Sequence, residues 1–259
     1  MRLQLYQVDA FAEKLFTGNP AAVCPLEEWL PEAVMQSIAL ENNLSETAFV
    51  VREASGWRIR WFTPGSEVDL CGHATLATAW VLFDLGLVDG SELFLQSRSG
   101  KLKVSRDDGL LTLDFPALQV SPCLLPDSLV AALGRRPAEL YRAMDYMAVF
   151  DTEEEILSLE PDFNALGRID LRGLIVTAPG KEADFVSRFF APRVGVNEDP
   201  VTGSAHCMLT PFWAARLGRN RLQARQLSRR GGSLVCELRG DRVLISGRCV
   251  PYLKGTIDI

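Results

Sequence analysis

The sequence contains 259 residues, 47% of them hydrophobic and 23% charged, with a formal net charge of −6 at pH 7. This composition is typical of a globular protein with one large domain or two modest ones. The acidic balance argues against nucleic acid or an anionic membrane as the main partner, because both bind basic surfaces.

The first half of the chain predicts short strands and two helices. Runs rich in β-branched and aromatic residues predict strands over residues 3–11, 21–24, 47–51 and 57–62. A first helix is predicted over 31–43, with Pro31 in its first turn. The segment 69–85 predicts a second helix, and its apolar residues surround the helix almost completely, which is typical of a buried helix.

The second half repeats this pattern after a Pro-rich segment, residues 116–126, that we interpret as the crossover between halves. Strands are predicted over 146–150, 173–177, 185–190, 234–238 and 243–246. The main helix is predicted over 203–217, and we expect Pro211 to bend it or loosen its start.

The two predicted buried helices belong to a long internal repeat. The segment from Phe62 to Ala74 resembles the segment from Phe190 to Ala205, and Gly72 and Gly203 are offset by 131 residues. Residues 96–100 resemble residues 227–231 at the same offset. We infer two homologous halves. The predicted fold is α+β, with two pseudosymmetric domains that each wrap a mixed β-sheet around one buried helix. The expected domains are residues 1–117 and 118–259. The sequence leaves open whether the last strand, 249–259, belongs to the first domain or to the second.

Targeting and cofactor signals are sparse. The chain start has no signal-peptide core, and the most apolar later segment is shorter than the ~20 residues that span a bilayer. Six scattered cysteines without a C-x-x-C pair favour a reducing compartment, so we expect a cytoplasmic protein. With only two histidines we expect no metal site, and the absence of a glycine-rich nucleotide motif argues against the commonest nucleotide cofactors.

The starts of the two buried helices are candidate anion-binding sites. Each helix start combines an acid with a glycine, Asp69 with Gly72 and Asp199 with Gly203, and Ser204 follows the second glycine. Backbone N–H groups and the helix dipole favour an anion there, although Asp and Ser are also common helix caps. We expect both starts to hold one small carboxylate in a cleft between the halves.

His73 and Glu46 are the candidate proton carriers. His73 lies at a predicted helix N-terminus, where the dipole favours the neutral imidazole. Glu46 begins an apolar strand and has no acidic counterpart in the second half, so the repeat alone does not explain it. Burial would suit this carboxyl group to acid–base chemistry. His206, one turn inside the second helix, is interpreted as structural.

Cys71 is a weaker candidate. A helix N-terminus can activate a thiol, and a racemase with two thiol bases would need a cysteine in both halves. The offset places Thr202 opposite Cys71, so Cys71 is interpreted as a small buried residue.

Four segments together resemble the phenazine-biosynthesis PhzF-like isomerase family. They occur in the family's order over nearly the whole chain: Gly18-Asn19-Pro20-Ala21-Ala22-Val23, Leu44-Ser45-Glu46-Thr47-Ala48-Phe49, Asp69-Leu70-Cys71-Gly72-His73-Ala74-Thr75 and Glu198-Asp199-Pro200-Val201-Thr202-Gly203-Ser204-Ala205. The resemblance implies a diaminopimelate-epimerase-like fold, a site between two pseudosymmetric domains, and a homodimer.

The resemblance also implies a cofactor-independent isomerase of a small carboxylate metabolite, acting as in dihydro-hydroxyanthranilate isomerisation. Glu46 would be the catalytic acid–base group that removes and returns the proton, and His73, Asp199 and Ser204 would hold and polarise the substrate. Gly72 and Gly203 would donate N–H groups to the substrate carboxylate, and Ser204 would also bind the substrate. The alternatives are a two-base amino-acid epimerase or racemase, and a catalytically silent protein of the same fold that binds a metabolite or a partner.

Overall fold

The computed structural model describes residues 1–259. The chain forms two compact units, the first made of Met1–Asp114 with Ser246–Ile259 and the second of Phe115–Ile245. The C-terminal strand therefore returns to the first unit, a point that the sequence left open.

Unit 1 is formed mainly by the first part of the chain. Its elements are β1 (Arg2–Ala10), β2 (Asn19–Leu26), α1 (Glu32–Asn42), β3 (Glu46–Glu53), β4 (Gly56–Phe62), β5 (Glu67–Val68), α2 (Gly72–Asp84), β6 (Glu92–Ser97), β7 (Gly100–Asp107) and β8 (Leu110–Pro116), whose end crosses into unit 2.

Unit 2 contains more and shorter helices, and the chain then ends in unit 1. The elements are β9 (Ser121–Pro122), α3 (Asp127–Leu133), β10 (Glu139–Arg142), β11 (Tyr146–Val149), α4 (Glu153–Leu157), α5 (Phe163–Leu166), β12 (Leu174–Pro179), β13 (Phe185–Ala191), a 3₁₀ turn (Pro192–Val194), β14 (Val196–Asp199), α6 (Gly203–Leu217), β15 (Arg221–Gln226), β16 (Gly232–Arg239), β17 (Arg242–Gly247) and β18 (Cys249–Asp258).

The two units pair their strands in the same mixed pattern. In unit 1, β1–β2 is antiparallel, β2–β3 parallel, β3–β4 antiparallel, β4–β6 parallel and β6–β7 antiparallel. In unit 2, β10–β11, β11–β12, β12–β13, β13–β15 and β15–β16 follow the same sequence of directions. This shared topology confirms the predicted α+β fold with two pseudosymmetric halves.

A buried helix lies at the centre of each unit, as predicted. In α2 every residue from His73 to Phe83 except Trp80 is buried, and α6 is buried over most of its length. Helix α2 begins at Gly72 instead of the predicted Asp69, because Glu67–Val68 forms β5 against β4.

Pro211 lies inside α6, which continues through it. Proline has no N–H group, so the carbonyl of Cys207 lacks its usual donor within the helix. The N–H of Leu118 donates to this carbonyl over 2.9 Å. Because Pro211 has no N–H group, the Cys207 carbonyl is available to bind the Pro-rich crossover segment through Leu118.

The sequence did not predict β6, β7 and β8. Buried and accessible residues alternate along β7 and β8, so half of each strand carries polar side chains. Such strands lack the apolar runs that marked the other strands.

None of the helices is both long and apolar enough to cross a lipid bilayer.

His206 in α6 should make the stability of the fold depend on pH. It is fully buried, its Nδ1 contacts the carbonyl of Thr202 over 2.8 Å, and its Nε2 has no hydrogen-bond partner. Burial lowers the pKa of His206 to about 4. Between pH 6.5 and 4 the unfolded chain therefore binds a proton that the folded chain does not.

We expect the free energy of unfolding to fall as the pH falls through this window, by up to about 3 kcal/mol from this group. Urea denaturation of the wild type and of His206→Asn, at several pH values between 7 and 4, measures the effect. The variant should lose less stability on acidification, and parallel curves would contradict the assignment.

Candidate active site

The parallel pairing of β2 and β3 brings two polar side chains to one edge of the unit 1 sheet. Glu46 is the first residue of β3 and pairs with Ala21 of β2. Asn19, the first residue of β2, lies two residues before Ala21. Gly18 makes the turn into β2 with φ of 71°, and a Cβ there would lie 2.3 Å from the carbonyl oxygen of Ala10. Glycine is therefore required at this position.

His73, in the first turn of α2, is at the centre of this cluster. Its Nε2 lies 3.2 Å from Oε2 of Glu46, and its Nδ1 lies 3.2 Å from Nδ2 of Asn19 and 3.5 Å from Sγ of Cys71. The side chains of His73 and Glu46 are only 6% and 18% exposed. The structure thus brings together the predicted residues Glu46, Gly72 and His73.

The contact between Glu46 and His73 is an ion pair without a completed hydrogen bond. Oε2 of Glu46 and Nε2 of His73 are both buried, and neither has a hydrogen-bond partner despite their separation of 3.2 Å. Buried polar atoms of this kind are costly unless a ligand satisfies them. Both atoms therefore retain hydrogen-bonding capacity for a bound molecule.

Electrostatics within the cluster favour a charged imidazole. Burial lowers the pKa of His73, but the contacts with Cys71 and Glu46 raise it by more than burial lowers it, so the net pKa lies well above its usual value of 6.5. This differs from the expected neutral imidazole, because a carboxylate in direct contact outweighs the helix dipole. Burial, with a smaller contribution from Glu46, raises the pKa of the Cys71 thiol to about 11.

The donor atoms of Glu46, Cys71 and His73 lie within 4.8 Å of one another, a set that could hold a metal ion. The thiol contacts Nδ1 of His73, whereas the carboxylate contacts Nε2. A thiol and a carboxylate on different nitrogens of one ring suit proton transfer better than coordination of a single ion. We therefore treat the cluster as an acid–base group.

Neither buried helix has a side-chain cap at its start. The N-cap residues are Cys71 for α2 and Thr202 for α6, and neither side chain accepts a hydrogen bond from the first turn. The first-turn N–H groups, including those of Gly72 and Gly203, are thus without the usual side-chain acceptor. Such a helix start suits a bound anion.

In unit 2, Gln226 holds the loop that carries Asp199. Its Oε1 accepts the N–H of Thr202 over 2.8 Å, and its Nε2 donates to the carbonyl of Asp199 over 2.7 Å. Oγ1 of Thr202 in turn lies 2.5 Å from Oδ2 of Asp199. Gln226 is fully buried at the end of β15, so its amide fixes the backbone just ahead of α6.

Ser204 lies in the first turn of α6, beside an anchored arginine. Nη2 of Arg172 lies 3.4 Å from Oγ of Ser204, and the same guanidinium pairs with Asp145. The structure therefore brings the predicted residues Asp199, Gly203 and Ser204 into one region of unit 2.

Sequence reasoning assigned no role to Asn19, Gln226 or Arg172. Asn19 had a signal, since it is a polar residue that heads an apolar strand directly after a glycine. Gln226 and Arg172 had none, because each acts on a segment at least 24 residues away in the chain.

Comparison with known proteins agrees with this architecture. The sequence profile described as "Phenazine biosynthesis-like protein", the PhzC-PhzF family, matches residues 8–255. The chain belongs to this family. An uncharacterized isomerase of Pseudomonas aeruginosa is 54% identical over the full length of both chains. With such relatives, the protein is an isomerase of the PhzF-like family.

Solved structures of the family and of its fold are also similar. A PhzF family protein from Enterococcus faecalis is 50% identical, with a TM-score of 0.98 and full coverage of both chains. A hydroxyproline epimerase from Agrobacterium vitis is 12% identical, with a TM-score of 0.66 over 99% of this chain and 92% of its own. The latter likeness shows the shared epimerase-like fold alone.

The pKa of His73 should depend on Glu46. In Glu46→Gln the carboxylate is lost, burial weighs more heavily, and we expect the pKa of His73 to fall below its wild-type value. Titration of the imidazole resonances by NMR measures this shift. His206, the other histidine, is the internal reference and should keep its low pKa. An unchanged His73 pKa would show that Glu46 does not stabilise the charged ring.

Removing the amide of Gln226 should destabilise unit 2. Gln226→Leu leaves the N–H of Thr202 and the carbonyl of Asp199 without their buried partner. At about 1–3 kcal/mol for each orphaned group, we expect a loss of roughly 2–6 kcal/mol in the free energy of unfolding. The matched control is Gln223→Leu, at an exposed position of the same strand, which should change stability little. Equal losses in both variants would contradict the role of Gln226.

Proposed function

We propose that the protein is a cofactor-independent isomerase of a small carboxylate metabolite, with Glu46 as the single acid–base group that moves the proton. The observation that carries this proposal is the incomplete pair of Glu46 and His73. Two buried polar atoms face each other at 3.2 Å without a hydrogen bond, and both lie beside the uncapped start of α2. A site that awaits a polar ligand fits this arrangement.

The reaction needs no external oxidant or reductant. In the proposed reaction Glu46 acts as a carboxylate, the form that accepts a proton. It takes a proton from a carbon of the substrate, the electrons of that C–H bond shift into the adjacent π system, and the protonated Glu46 returns the proton to a second carbon. The charged His73 stabilises the negative charge that develops on the substrate during this transfer.

Substrate binding is proposed to use the two helix starts. The N–H groups of Gly72 and Gly203 would donate to the substrate carboxylate, which the positive end of each helix favours. Asp199 and Ser204 would hold polar groups of the substrate. Gln226 supports this role by fixing the backbone of Asp199. The proposal also includes the homodimer and the cytoplasmic location that the sequence suggested.

The state of Cys71 favours this mechanism over a two-thiol epimerase. With its pKa raised to about 11, the thiol stays protonated at neutral pH and is a poor base. Position 202, its counterpart in the repeat, holds a threonine. One acid–base residue therefore fits the site better than two cysteines.

Exchange of substrate protons with solvent tests the proposal. Purified protein is incubated in D₂O with dihydro-hydroxyanthranilate, diaminopimelate and proline, and deuterium incorporation is followed by proton NMR. We expect incorporation into one compound, and Glu46→Gln should slow it by about 10²–10⁴-fold.

The matched control is Glu41→Gln, an exposed glutamate of α1 that should exchange at the wild-type rate. Exchange that survives in Glu46→Gln at full rate would remove Glu46 from the mechanism. Exchange that instead disappears in Cys71→Ser would assign the base to the thiol.

A further inference from the structure

The guanidinium of Arg172 is fixed in place by a fully buried carboxylate. Nε and Nη2 of Arg172 donate to Oδ1 and Oδ2 of Asp145 over 2.9 and 2.5 Å. The side chain of Asp145 is 0% exposed, whereas that of Arg172 is 43% exposed. Arg172 therefore presents an ordered cationic group to solvent from a buried anchor.

The local chain is shaped to allow this pair. A Cβ on Gly173 would lie 2.3 Å from Cζ of Phe189 and 3.0 Å from Oδ1 of Asp145, so glycine is required beside Arg172. The guanidinium lies 5.9 Å from the centre of the Phe189 ring. The N–H of Tyr146 also donates to the carbonyl of Gly173, which joins the two segments that carry the pair.

Nη1 of Arg172 remains available to a ligand. Its Nε–Nη2 edge is used by Asp145, the second hydrogen of Nη2 points to Ser204 over 3.4 Å, and Nη1 has no protein partner. Arginine has only donors, so Oγ of Ser204 must accept from Nη2. The hydroxyl proton of Ser204 is then free to be donated to a ligand.

We infer that Arg172 and Ser204 form an anion subsite for a second carboxylate of the substrate. The hydrogens of Nη1, which have no protein partner, and the Ser204 hydroxyl can each donate to an oxygen of a carboxylate next to the fixed positive charge. This inference rests on the proposed function, in which Ser204 binds the substrate and glycine N–H groups hold its first carboxylate. The substrate class is thereby narrowed to dicarboxylic acids.

Rigid aromatic acids test the subsite without knowledge of the substrate. Binding of benzoate is compared with that of phthalate, isophthalate and terephthalate by isothermal titration calorimetry. We expect at least one dicarboxylate to bind the wild type about tenfold or more tightly than benzoate. In Arg172→Lys, which keeps the charge next to Asp145 but loses the Nη1 donors, this advantage should fall to about twofold while benzoate affinity stays the same.

The matched control is Arg225→Lys, because the side chain of Arg225 is equally 43% exposed and also paired, with Glu182. It should keep the full dicarboxylate advantage. Ser204→Ala removes the hydroxyl donor and leaves the buried Asp145 paired with Arg172. It therefore tests the subsite even where Arg172→Lys folds poorly. It should also reduce the dicarboxylate advantage.

Two negative results have different meanings. Benzoate binding without any dicarboxylate advantage, or an advantage that Arg172→Lys and Ser204→Ala leave intact, would overturn the subsite alone. If neither benzoate nor the dicarboxylates bind the wild type, the proposed carboxylate recognition fails as well.

Discussion

Helix α2 has no polar face to turn toward water, so unit 1 must cover it with the sheet. Burial of nearly all its side chains is the main apolar contribution that this helix makes to the fold. The position of α2 against the sheet then determines where its first turn lies, which is beside the starts of β2 and β3. His73, Glu46 and Asn19 meet there for this reason. Helix α6 imposes the same constraint in unit 2, where its start lies beside the loop of Asp199.

Two ion pairs in the protein show how a structural pair differs from one that is available for chemistry. Asp145 has both oxygens bonded to Arg172, so its burial is compensated within the protein. Glu46 and His73 lie 3.2 Å apart, and each leaves a buried atom without a hydrogen bond. The first arrangement holds a residue still. The second leaves two buried polar atoms, Oε2 of Glu46 and Nε2 of His73, that can form hydrogen bonds with a ligand.

The two halves tie down the loop before the buried helix by different chemistry. In unit 1, Glu67 in the short strand β5 pairs with Arg60 and Arg98 over 2.7 and 2.6 Å. In unit 2, the amide of Gln226 performs the same task with neutral hydrogen bonds. The topology has therefore been retained while the supporting contacts have diverged, and these contacts cannot be identified by comparing the halves in sequence.

The sequence by itself determined the α+β class, the two homologous halves, the buried helices and the motif residues around Glu46 and His73. Hydrophobic periodicity and the repeat carry the information on the fold, and short motifs carry the information on the site residues, because each depends only on the order of residues along the chain. The tertiary structure alone decided the charge state that His73 prefers, the role of Gln226 and the pairing of Arg172 with Asp145. Each of these depends on groups from distant segments meeting in a buried environment, where a separation of a few ångströms sets the energy of a charge or hydrogen bond. No local pattern in a sequence encodes that separation.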